Sequence, residues 1–179
     1  MKQSSVLSEL KEMTRANIAQ VKEFQSSEIE RLEKSATLES WNVLQCIEHL
    51  NRYSLFYLSE FQQKIEQGKK ITGSLEFHQG FWGKKFTVGM LPSEGMKTMK
   101  TFASKNPEKQ NLNLAVLNQF ISDQQHFLDL LDQASKLDLN KNDCSITLPL
   151  LKMRLGDTLR FYVYHNVRHI HQAIKASKS

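Results

Sequence analysis

Cysteine is scarce in this chain: Cys46 and Cys144 are its two, too few for a disulfide framework. No apolar run approaches the roughly 20 residues of a membrane span. The opening, MKQSSVLSEL, turns polar early and lacks the apolar core of a signal peptide. These absences make a cytoplasmic location without a membrane partner the expectation. Sustained period-2 alternation is also missing, so no sheet is expected. A basic stripe of the kind that tracks a phosphate backbone is absent too. The formal charge is +5, but residues 64–109 hold nine lysines against four glutamates, which accounts for the whole excess. The other 15 basic and 15 acidic residues balance, and no nucleic-acid partner is expected. The lysines read either as a solvated connection or as a positive rim that draws anionic small molecules toward a site.

What is present is helical patterning in a chain of 179 residues, long enough for one domain, 1–179, with a substantial core. Residues 5–24 carry Val6, Leu7, Leu10, Met13, Ile18 and Val21 at helix spacings. SSEIERLEKSA predicts a short extra helix capped by Ser26 or Ser27. A long helix is expected next, with Ser40 as its cap and Gly68 as its stop. Residues 68–111 hold six of the seven glycines and two of the three prolines. They predict a long irregular connection with room for a short turn of helix near 94–100; a loop of that length in a compact domain is functional or wraps the surface. Helical periodicity returns over 111–137, a turn region follows over 138–153, and a last helix runs from about Arg154 to Ala176. The fold class expected is all-α: a four-helix bundle with one long crossover connection and a short extra helix.

The last helix contains YHNVRHIHQ, with three of the six histidines. Each residue advances about 100° around a helix, so His165 and His169 lie about 40° apart, while His171 sits roughly 120° from His165 and on the far side from His169. At most two of the three face one small site. A third group has to come from elsewhere. The long helix that begins near Trp41 has a core stripe of Val43, Ile47, Leu50, Ser54, Leu58 and Phe61. His49 lies nearly opposite it, beside Asn42, Gln45, Cys46, Tyr53, Phe56 and Glu60. Mixed aromatic and hydrogen-bonding residues of this kind suit a cavity wall. On the last helix, His165 and His169 lie off the stripe of Leu155, Leu159, Val163, Val167, Ile170 and Ile174, with Thr158, Phe161, Tyr162, Arg168 and Gln172. If the two helices meet, three imidazoles can converge on a divalent transition metal. Zinc, nickel and iron all accept imidazole. A zincin is excluded, because that motif needs Glu directly after the first His and this chain has Asn166.

SWNVLQCIEHL resembles the Trp-x7-His-Leu signature of the DinB-like superfamily. LGDTLRFYVYHNVRHIHQ resembles its closing signature, a His-x3-His helix ending in Arg-His-x-x-Gln. The resemblance covers roughly 5–176. It implies a four-helix bundle, often homodimeric, with a metal held by His49, His165 and His169; His171 has no counterpart among the family's ligands. It also implies a metal-dependent enzyme acting on a small-molecule substrate. The reaction would be a thiol-dependent transfer or isomerisation with a low-molecular-weight thiol, or a hydrolysis. The alternative is a non-catalytic metal-binding or stress-response module.

Other residues carry two readings each. Cys46, one turn before His49, is a small core residue or a pocket thiol. Trp82, in the basic connection, packs the loop onto the bundle or covers the pocket mouth. Arg168 pairs an anionic substrate group or a surface carboxylate. Trp41 is expected to pack at its helix start, and His78 and His126 are expected to be exposed. Neither histidine face offers a carboxylate near the candidate ligands, so any catalysis is expected to use a metal-activated nucleophile without a separate side-chain base.

Overall fold

The computed structural model describes residues 1–37, 40–73, 75–93, 101–108 and 110–178. Four long helices build the bundle: α1 (Gln3–Gln25), α3 (Val43–Gln67), α5 (Ala115–Ala134) and α6 (Leu155–Ala176). Two short ones, α2 (Ile29–Leu32) and α4 (Phe81–Thr87), lie in the connections. α1 and α3 each pack against both α5 and α6, which closes the ring. Cross-helix pairs set the directions. Glu9 of α1 meets Tyr164, and Arg31 in the following α2 meets Ser177 at the end of α6, so α1 and α6 run parallel. Asn51 bonds the Val116 carbonyl and Phe61 meets Phe127, so α3 and α5 run parallel. Lys11 pairs with Asp132 and Gln25 with Asn118, which sets α1 and α5 antiparallel. Two parallel neighbours, α3 and α5, require a long crossover, and the glycine-rich segment between them supplies it.

The core is divided. One apolar cluster includes Leu10, Tyr57, Phe61, Phe127 and Leu159; the other includes Val21, Ile47, Leu50, Phe120 and Ile170. Between them lies a layer of buried polar side chains drawn from all four long helices: Thr14 and Asn17, Asn51 and Ser54, Gln124, and Asn166. Asn166 Nδ2 donates to Gln124 Oε1 (3.0 Å), and Gln124 Nε2 donates to the Tyr162 hydroxyl (2.7 Å). Ser54 Oγ donates to the Leu50 carbonyl, so in its 2.8 Å contact with Tyr162 it accepts.

Several local expectations are corrected. α3 is capped by Asn42, not Ser40: Asn42 Oδ1 accepts from the Gln45 backbone N–H, and Gln45 Oε1 accepts from that of Asn42. This reciprocal box satisfies two donors, whereas the Ser40 hydroxyl turns back to Thr37. Gly68 does end the helix. α2 starts after Glu28 with no side-chain cap, because Ser26 closes α1 instead. The region before α6 holds a two-stranded antiparallel sheet, β1 (Asp143–Ser145) and β2 (Lys152–Arg154), with Cys144 opposite Met153. Strands of three residues are too short to display an alternation. In the crossover, α4 docks on α6 where Gly80 N–H donates to Asp157 Oδ2 (2.8 Å). Gly83 makes that approach possible, since a Cβ there would collide with the Asp157 carboxylate. The turn of helix expected near 94–100 lies outside the described residues.

Candidate metal centre

α3 and α6 lie side by side and run in opposite directions: Trp41 and His49 meet His169, Tyr53 meets His165, and Tyr57 meets Phe161. His49, His165 and His169 therefore converge, each offering a ring nitrogen, with all three nitrogens within 4.8 Å of one another. His49 Nε2 and His165 Nε2 stand 3.3 Å apart. Two nitrogens bound at about 2.0–2.1 Å to a tetrahedral metal are separated by about 3.3 Å, so this pair already has the spacing such an ion needs. Rotation of a side chain by about 1.5 Å at its tip brings the widest pair to the same spacing.

The proton positions favour a ligand role. His49 Nδ1 lies 2.8 Å from the Lys105 carbonyl, and His169 Nδ1 lies 2.9 Å from Gln172 Oε1. Both oxygens only accept, so each Nδ1 carries the proton and each Nε2 keeps its lone pair. His165 differs: its Nδ1 is buried without a hydrogen bond among the described residues. Burial pushes the His49 pKa down to about 4, reinforced by the Arg52 and Lys105 charges and opposed by the Lys105 carbonyl. Burial, then His49, pushes His169 down to about 3. His165 is lowered as well, by burial and then by His169 and His49. Three neutral imidazoles face one point, which is the protonation state metal binding requires.

The crossover locks one wall. A 3-10 turn, Ala103–Lys105, presents the Lys105 carbonyl to His49, and the next residue turns the Asn106 carbonyl to Arg52 Nη1 (2.6 Å), while the Lys105 ammonium donates to the Arg52 carbonyl. Arg52 is held in turn by Glu48 at 2.9 Å. The histidines open onto a cavity of about 980 Å³.

Residues flagged in the sequence fall as follows. His171 stands outside the triad, yet it lines the wider cavity. Cys46 is fully buried in the second apolar cluster, away from the cavity lining, and burial pushes its thiol up to about 12. Trp82 stacks on Phe86 and is not part of the lining; Phe86 is. Arg168 lines the cavity and donates to the Gly89 carbonyl (3.1 Å). His78 and His126 are exposed. Among the described lysines of the crossover, Lys85 lines the cavity, and the lining cations Arg168 and Lys175 come from α6 instead. Glu60 accepts from the Ser145 N–H, away from the histidines.

Three participants escaped sequence reasoning. Trp41 does more than pack a helix start: its ring lies 4.8 Å from His49 and 5.9 Å from His169. The fixed spacing from Trp41 to His49 was the available signal. Glu108 brings the one carboxylate among the described lining residues, held by Asn106 Nδ2, and no periodicity marks a loop residue. The Lys105 carbonyl left no signal, because a backbone acceptor has no residue-type signature.

No curated protein and no solved structure matches the chain. A family model described as the DinB superfamily matches residues 12–173. That match spans α3 and α5 entire and most of α1 and α6, including all three histidines, so the chain belongs to the DinB superfamily.

Proposed function

We propose that this protein is a metal-dependent enzyme acting on a small molecule, with His49, His165 and His169 as the ligands of one divalent transition metal. The observation that carries the reading is the set of three enclosed imidazoles, kept neutral by burial, at the wall of a large cavity. A divalent ion held there supplies a lowered pKa to a bound water or thiol. With water the reaction is a hydrolysis; with a low-molecular-weight thiol it is a transfer or isomerisation. Lys105 and Gln172 keep the imidazoles oriented, and Trp41 and Tyr53 shield them from bulk solvent.

A purely structural metal would be favoured by a fourth protein ligand. Among the described residues no further His, Cys, Asp or Glu joins the three, which supports an open position and a catalytic role. The 3.3 Å nitrogen spacing suits a tetrahedral ion such as zinc; nickel and iron bind the same donors. Two free, buried cysteines suit a cytoplasmic setting, and no described helix is long and apolar enough to cross a membrane. The reading includes a homodimer, the assembly the family resemblance implies; sedimentation at micromolar concentration separates it from a monomer.

The test is metal analysis of the purified protein, then a screen of thiol-conjugation and hydrolysis substrates with and without chelator. Activity that requires the metal is expected. A preparation that binds no divalent metal under any loading condition overturns the reading.

A further inference from the structure

The cavity wall changes character along its length. Trp41 and the histidines occupy the middle. Towards the C-terminal end of α6 the lining is polar, with Thr37, Ser40, His171 and Gln172. Towards the hairpin it is mainly apolar, with Tyr57, Phe86, Ile146, Leu148, Met153 and Phe161; Thr147 and Lys85 also line the cavity. The first six come from four separate elements yet meet. Phe161 lies 6.1 Å from Tyr57 and 6.4 Å from Phe86 by ring centroids, and the Thr147 N–H donates to the Tyr57 hydroxyl at 3.5 Å.

Two features make this end a receptor rather than plain core. Phe86, Leu148 and Phe161 pack against the first apolar cluster but are only partly buried, so they keep apolar surface on the cavity. The apolar end also adjoins the histidines directly: the Phe161 ring stacks on His165 at 5.9 Å. Phe161 precedes His165 by one helical turn, and Tyr57 follows His49 by about 12 Å along α3. The chamber thus extends about 6 to 12 Å from the triad, room for an aryl ring or a short alkyl chain.

We propose that the substrate of this protein is an amphipathic molecule. Its aryl or alkyl group lies in the chamber between α4, the hairpin and Phe161, its reacting atom lies at the histidines, and its polar remainder points toward His171 and Gln172. This assignment of substrate class rests on the metal reading above.

The test uses cobalt(II)-loaded protein titrated with ethanethiol, 1-butanethiol and 1-hexanethiol, each bound through sulfur and followed by near-ultraviolet absorption. Burial of each added methylene in an apolar chamber tightens binding up to about fourfold, so 1-hexanethiol, with four more methylenes, is expected to bind between about tenfold and about 200-fold tighter than ethanethiol. Leu148→Asp, a change on the partly exposed hairpin, is expected to flatten the series while leaving cobalt content unchanged. Equal affinity for all three thiols in the parent protein overturns the chamber and leaves the metal centre standing. Failure to load cobalt overturns the metal reading alone, since the chamber is read independently in metal-free protein by methyl NMR with 1-hexanol. Shifts at Ile146, Leu148 and Met153, with Leu130 unmoved, are expected; no shift at those methyls overturns the proposal.

Discussion

At His49 two influences oppose each other. Burial lowers the imidazole pKa and the Lys105 carbonyl raises it; burial wins, and the value falls to about 4. In an unfolded chain the same group titrates near 6.5. Between those values the unfolded state binds more protons, so the contribution to stability is full above the unfolded pKa and is lost as pH falls toward the folded one. His169, lowered to about 3, acts in the same direction. The urea midpoint of the chelated protein is therefore expected to drop between pH 7 and pH 4.5. The His49 share of the loss approaches about 1.4 kcal/mol per pH unit below 6.5. His49→Gln makes the slope shallower; a midpoint flat across that range would contradict the assignment. The three proposed ligands also differ sharply from their neighbour. His49→Ala, His165→Ala and His169→Ala are each expected to reduce bound metal by at least about tenfold in affinity, while His171→Ala leaves metal content unchanged, since its ring stands outside the triad. Loss of metal in His171→Ala together with retention in His165→Ala, read by elemental analysis, would reverse that ligand set. Cys46 gives a further contrast. Its thiol is pushed up to about 12 and faces apolar neighbours rather than the cavity. Cys46→Ser should keep its metal and its activity in any assay found; a metal-loaded but inactive variant would mark a cysteine nucleophile.

The helices were legible where the face decides the residue. The α3 stripe from Val43 to Phe61 is buried throughout; of the mixed face, His49 and Tyr53 line the cavity, whereas Asn42, Gln45, Cys46, Phe56 and Glu60 do not. Boundaries were less so: Asn42 competes with Ser40 for the cap of α3, and only the reciprocal bond to Gln45 decides between them. The polar layer was not legible. Gln124 and Asn166 resemble surface residues when each helix is read by itself, and their burial becomes visible only once the helices are in register. Gln124 is also the joint of that layer, accepting from Asn166 and donating to Tyr162. Gln124→Leu strands the Asn166 amide in the core and leaves the Tyr162 hydroxyl with Ser54 alone, so a loss of about 1–3 kcal/mol is expected from chemical denaturation. Adding Asn166→Leu removes the stranded amide, and the double variant should be less destabilised than the sum of the singles. Strict additivity in that cycle would mean that the two amides do not act as one network.

Across the whole molecule, the crossover hides the most from sequence. Its glycines read as an irregular connection, and its lysines as either a solvated connection or a positive rim. In the structure α4 brings Lys85 and Phe86 to the cavity wall, and the turn at Ala103–Lys105 holds His49 through a backbone carbonyl. Such placements depend on where the chain ends up and have no local pattern. The small hairpin is another case, visible only through its pairing of Cys144 with Met153. The consequence for stability lies in how far apart the proposed ligands are in the chain. His49 and His165 are separated by 116 positions, so an unfolded chain does not hold them together. A metal bound by both helices therefore stabilises the folded state alone. At a free metal concentration of 100 times the dissociation constant, the gain is about 2.7 kcal/mol. Denaturation of the loaded and the chelated protein, compared at one pH near neutrality, should differ by about that amount. The difference should vanish in His165→Ala, which leaves one ligand on each helix. A parent protein whose stability is indifferent to metal over that concentration range would show that the three imidazoles do not bind it as a unit.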